Sequence, residues 1–138
     1  MEKDTQSALD LLESGDFTCV VCRDTVSYTA TQRGVKPLLD WLDSGMDLRG
    51  FCAADRVVGR ATAYLYCLLG VREVYARVMS RPAAEVLEQA GIRVYTGSMV
   101  DGIINRRKTG PCPFEAAVMD IYTAEEALAA IRSKLAQL

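Results

Sequence analysis

Glu73-Val74-Tyr75-Ala76-Arg77-Val78-Met79, then Pro82-Ala83-Ala84-Glu85-Val86-Leu87-Glu88-Gln89, then Ile92-Arg93-Val94-Tyr95-Thr96, is the stretch that decides the fold. The outer runs are short and rich in β-branched and aromatic residues, which predicts two strands. Between them Pro82 suits a first helical turn and Gly91 suits the position just past a helix end, so Pro82–Gln89 reads as a helix.

The alternation extends upstream. Leu48–Cys52 reads as a short strand and Asp55–Leu69 as a helix whose only charges are Asp55, Arg56 and Arg60. A helix apolar nearly all round belongs deep in the domain. Before it, Phe17–Cys22 and Thr25–Ala30 read as strands joined by a tight turn at Arg23-Asp24. In the second, Val26, Tyr28 and Ala30 alternate with Thr25, Ser27 and Thr29, the period of a half-buried strand. Thr5–Ser14 and Lys36–Ser44 read as helices closed by Gly15 and Gly45, and Pro113–Ile121 and Thr123–Leu138 as two more. Thr123 with Glu126 three residues on forms a capping box. A hairpin followed by alternating helices and strands predicts an α/β fold: a three-layer α/β/α sandwich with a mixed sheet, the N-terminal hairpin plus parallel strands. No linker-like segment or internal repeat divides residues 1–138, which read as a single domain.

Composition narrows the chemistry. The chain has no histidine, which removes a Ser-His-Asp triad and imidazole metal ligands. Acid–base work would fall to carboxylates, thiols, lysines or tyrosines with shifted pKa values. A net charge of −2 argues against a nucleic-acid binder. Met1–Gln6 is charged, unlike a signal peptide, and Val57–Val71, the most apolar stretch, is too short to span a bilayer. The expectation is a cytoplasmic protein with no membrane partner and, given five cysteines, reduced thiols. Gly-x-Gly-x-x-Gly is absent, and the two glycine pairs with P-loop spacing are followed by Ile103-Ile104 and Phe51-Cys52 in place of Lys-Ser/Thr.

Val78-Met79-Ser80-Arg81-Pro82-Ala83-Ala84-Glu85-Val86, running on to Val94-Tyr95-Thr96-Gly97, resembles the second zinc motif of the cytidine deaminase superfamily. Ala53-Ala54-Asp55, at the head of the expected buried helix, resembles the first motif. Ala53, Ala83 and Val86 stand where that superfamily places its three zinc ligands, so the resemblance implies a deaminase-like fold without zinc. Over nearly the whole chain, Arg33–Leu39, Ala53–Ala61 and Asn105–Glu115 resemble the DUF1893 family, a domain of unknown function. That likeness implies a scaffold and no reaction.

The residues that carry candidate chemistry lie at two places. In Asn105–Glu115, the cations Arg106-Arg107-Lys108 lead into Pro111-Cys112-Pro113-Phe114-Glu115 at a helix start. Free N–H groups there favour an anion and depress a thiol pKa, so Cys112 reads as a nucleophile or proton donor and Glu115 as its acid–base partner. Equally, Pro113 and Glu115 are ordinary helix-start residues and Cys112 a small filler. Asp55 reads either as a plain helix N-cap or as a base facing the pocket. Arg56 and Arg60, four apart, would share a helix face, either as solvated charges or as anion ligands. Cys19 and Cys22 form a Cys-x-x-Cys, but on a strand they point to opposite faces, and two packed thiols are the simpler reading. Cys67 reads as core.

The expectation is therefore a small-molecule-binding domain, with Cys112, Asp55 and Glu115 as catalytic candidates and Asn105, Arg106 and Arg56 as ligand-binding ones. No metal or cofactor is called for, and a nucleobase or nucleotide ligand rests on fold analogy alone. The alternative is a non-catalytic module for self-association or partner binding, with Trp41, Tyr64 and Tyr66 or the last helix as its interface.

Overall fold

The computed structural model describes every residue except Arg106. The hairpin forms as β1 (Cys19–Arg23) and β2 (Val26–Ala30). Its turn is Asp24-Thr25, one residue later than expected, with Asp24 at φ 54°, a left-handed conformation that aspartate tolerates better than most residues. β1 is buried at every position but Arg23, whereas β2, expected to be half-buried, is exposed from Val26 to Thr29 because it forms a sheet edge.

The chain begins with α1 (Lys3–Ser14), and α2 (Lys36–Asp43) follows the hairpin. The next expectation is corrected. Cys52–Val58 is strand β3, and the buried helix α3 runs only from Arg60 to Leu69. The strand expected over Leu48–Cys52 begins only at Cys52, Asp55 lies within β3 instead of capping a helix, and Arg56 and Arg60 share no helix face. Cys52–Asp55 are buried without a break, so the run has no period-2 alternation, and periodicity cannot separate such a strand from a buried helix. The placement also removes the helix-head position on which Ala53-Ala54-Asp55 resembled a zinc motif.

β4 (Glu73–Ser80), α4 (Arg81–Gln89) and β5 (Arg93–Val100) complete the repeating part. The last strand reaches four residues past Thr96. Ser80 caps α4 by accepting a bond from the Ala83 N–H, and Pro82 sits in the first turn. α5 is a single stretch, Pro113–Ala117, shorter than the Pro113–Ile121 expected, because Val118 leaves the helix. α6 (Ala124–Gln137) starts at the Thr123–Glu126 box, with both side chains in place.

The sheet is mixed, in the order β2-β1-β3-β4-β5. β1 runs antiparallel to β2 and β3, while β3, β4 and β5 are parallel. With six helices among the described residues, this is an α/β fold. The ladder lapses along one row: Arg56 and Arg77 are skipped between β3 and β4, and Arg77 and Gly97 between β4 and β5. Across that row the inward series changes phase. Ala53 in β3 and Val74 and Ala76 in β4 face the main core, and the next residues of these strands in it are Val58 and Met79. A Cβ on Gly97 would stand 3.2 Å from the Arg77 carbonyl oxygen, so β5 approaches β4 closely at this row and a side chain there would need its neighbours to give by a few tenths of an ångström.

Among the described residues, two apolar clusters hold the sheet. Ala8 and Leu12 of α1 pack on Val20, Cys22 and Ala54. The larger cluster joins Cys19, Val21 and Ala53 to α2, α3, α4 and α6, through residues such as Leu38, Leu65, Leu87 and Ile131. Cys19 and Cys22 thus do face opposite ways. Tyr64 and Tyr66 are buried within the larger cluster, so the exposed interface considered for them does not exist. At the far end of the sheet, buried Glu73 accepts from the Thr5 hydroxyl at 2.6 Å and the Glu2 N–H at 2.7 Å, tying α1 down. Arg93 Nε lies 3.2 Å from the other oxygen of Glu73.

Candidate functional site

A cavity of about 310 Å³ opens where β3 ends and α3 begins. Ligand crevices in open α/β sheets lie at the carboxyl ends of the parallel strands, and this cavity is at that end of β3. Thr18 and Cys19 form one wall, the Gln32–Val35 loop a second, and Asp55, Arg56 and Val57 the floor. Ile103, Cys112, Phe114 and Glu115 close it from the C-terminal part of the chain.

At its floor lies a buried carboxyl, Asp55. Cys19 and Asp55 stand opposite each other in the β1–β3 register, and Tyr66 of α3 donates its hydroxyl to Asp55 Oδ2 at 2.6 Å. The Val57 N–H reaches Oδ1 at 3.3 Å. With 8% of Asp55 exposed, burial pushes its carboxyl up to about 6, against the pull of the Tyr66 hydroxyl, the nearby N–H groups and the Arg56 charge. Burial, reinforced by Asp55, also drives the Cys19 thiol and the Tyr66 phenol well above their ordinary values. Cys19 and Tyr66 were not expected at the site. The legible signal was Tyr66 itself, since a tyrosine on an all-apolar helix needs a partner for its hydroxyl.

Glu115 is placed by a different helix from the one it begins. Its carboxylate accepts from the Arg60 N–H at 2.6 Å and the Ala61 N–H at 2.9 Å, so it caps α3 across 55 positions of sequence. A carboxylate at a helix N-terminus satisfies orphan donors and complements the dipole. Gly59 makes this approach possible, because a Cβ there would lie 2.3 Å from Glu115 Oε1. The cap seats α5 and the cavity wall it carries.

Cys112 lines the cavity, half-buried, immediately before α5. Its N–H bonds the Ile103 carbonyl oxygen, and Ile104 bridges Pro111, which closes the intervening loop at its base. Asn105 belongs to that loop: its side chain bonds Thr109 through Oδ1 and Nδ2, and it is not part of the cavity wall. Arg106 lies outside the described residues. Arg60 turns away to Tyr64, Tyr122 and the Ile121 carbonyl. Among the described residues no three His, Cys, Asp or Glu side chains converge as a metal-ligand set. Among the same residues no helix is long and apolar enough to cross a membrane.

The model of the DUF1893 family, a domain of unknown function, matches residues 7–135. The crystal structure of a DUF1893 family protein from Thermotoga maritima superposes with a TM-score of 0.86 at 24% identity, over 100% of this chain and 92% of that one. At that identity the likeness speaks for the fold. No curated protein matches the sequence.

Proposed function

As a member of the DUF1893 family, to which this chain belongs, the protein carries a scaffold without an assigned reaction, and we propose that it binds a small molecule in the cavity beside Asp55. The observation that carries this reading is a buried carboxyl, raised to about 6 and held by Tyr66, in the floor of a cavity large enough for a compact organic ligand. We read the scaffold as a three-layer, cytidine deaminase-like one that works without zinc. Enzymatic use of the cavity would draw on Asp55 as the proton-exchanging group near neutral pH, with Cys112 as the accessible thiol. Glu115, engaged by two backbone N–H groups, serves this reading as the residue that seats the wall.

A nuclear magnetic resonance screen tests the reading with nucleosides, nucleotides and small aromatic fragments. The expected result is shifts confined to cavity resonances such as Thr18, Val57 and Ile103, abolished in Val57→Trp. Val57 is 44% exposed at the cavity, so tryptophan there obstructs the opening without disturbing the core. Shifts elsewhere, or none, would defeat the proposal and favour a module for partner binding or self-association.

A further inference from the structure

The cavity's charged groups are unequally satisfied. Its two carboxylates are engaged by protein donors: Asp55 by the Tyr66 hydroxyl and Glu115 by the N–H groups of Arg60 and Ala61. Its two guanidinium groups, Arg33 and Arg56, form no ion pair among the described residues. Arg56 Nε is buried there without a hydrogen-bond partner. Arg49, Arg81 and Arg132 are matched with Asp47, Asp101 and Asp43, whereas Arg60, whose Nε is likewise buried and unpartnered, is engaged through Nη2 by Tyr64 and the Ile121 carbonyl. A buried donor left unpaired costs free energy, and a guanidinium prefers the planar, two-oxygen acceptors of carboxylates and phosphates.

We propose that the cavity is built for an organic anion, with a carboxylate or phosphate taken by Arg56 and Arg33 and an apolar body lying along Val57, Ile103 and Phe114. The proposal rests on the small-molecule reading above and adds the class of ligand. The arginines come from different segments, the end of β3 and the loop before α2, and both line the cavity. Arg56 sits on the row where the ladder lapses, and such departures from regular pairing re-aim side chains next to sites.

Benzoate and benzamide test it, being nearly the same shape and differing in charge. In titrations followed at cavity resonances, benzoate is expected to bind at least about tenfold more tightly than benzamide, a difference of about 1.4 kcal/mol. Arg33→Gln, on an exposed loop, and Arg56→Gln are each expected to weaken benzoate severalfold and leave benzamide unchanged, with Arg56→Lys partly restoring the affinity. Phenyl phosphate is expected to behave like benzoate, and the tighter of the two assigns the natural group. Equal binding of benzoate and benzamide in the cavity, or benzoate binding indifferent to both glutamine variants, overturns the anion assignment while leaving the small-molecule reading standing. No cavity shift with any of the three probes sinks both.

Discussion

Tyr66 donates its hydroxyl to Asp55 Oδ2 at 2.6 Å, in a place where both side chains are buried and Cys19 stands across the strand pair. The bond keeps an acid inside the domain that burial would otherwise favour still more strongly in its neutral form.

Stability therefore depends on pH with a definite sign. The folded-state pKa of Asp55, about 6, lies above its ordinary 3.8, so the native state binds more protons than the unfolded one between these values. The Asp55 contribution is complete below about pH 4 and is lost as pH rises through 6, amounting to roughly 3 kcal/mol by linkage. Asp55→Asn keeps an acceptor for Tyr66 and removes the titration. Chemical denaturation at pH 4.5 and 7.5 is expected to show the variant gaining on the wild type at the higher pH; parallel pH profiles would refute the assignment.

Glu115 and Gly59 form a second coupled pair. Glu115→Ala removes a charged cap from α3 and is expected to cost about 1–2 kcal/mol. Gly59→Ala places a methyl against the carboxylate and should cost a similar amount. Made in the Glu115→Ala background, Gly59→Ala should be close to neutral. Additive losses across this double-mutant cycle would show that the contact is not what constrains Gly59.

The anchoring of α1 is testable by hydrogen exchange. Glu73→Ala leaves the Thr5 hydroxyl and the Glu2 N–H without their acceptor, an expected loss of about 2–3 kcal/mol. Amide protection in α1 should fall before that of β4, since α1 is held by a small cluster of its own. Uniform loss of protection throughout the chain would argue against a local tether.

Thiol chemistry should separate the five cysteines. Cys19, Cys22 and Cys52 are buried, and burial pushes the half-buried Cys67 thiol up to about 11, leaving about one thiolate in three thousand at pH 7.5. Native alkylation is expected to mark Cys112 first, with benzoate slowing the reaction. Labelling of Cys67 at a comparable rate, located by peptide mass, would contradict this.

Most of the secondary structure is written in local chemistry. Pro82 and Gly91 bracket α4, the Thr123 box starts α6, and alternation from Thr25 to Ala30 marks β2. The β3–α3 boundary was hidden because Cys52–Asp55 and Ala61–Tyr66 are both continuous buried runs, which erases the periods that tell strand from helix. Gly59 was the available sign of a break. Of the six candidates, Arg106 lies outside the described residues and Asn105 is not part of the cavity wall, whereas Asp55, Arg56, Cys112 and Glu115 line one cavity. Their partners were not legible: Tyr66 meets Asp55 across a strand-to-helix contact, and Glu115 caps a helix 55 positions away, which no local pattern encodes.

The lapse of the ladder at Arg56, Arg77 and Gly97 carries a consequence for how this sheet can change over evolutionary time. Because it occupies one row, the register is the same on both sides: Asp55 pairs with Ala76 and Val57 with Val78, just as Ala76 pairs with Thr96 and Val78 with Ser98. A residue lost from β4 alone would turn the strand's downstream half over relative to its neighbours, sending Met79 to solvent. Insertions and deletions in this part of the sheet are therefore expected to be tolerated only when matched across the three strands. Gaps that relatives place here should align as a block.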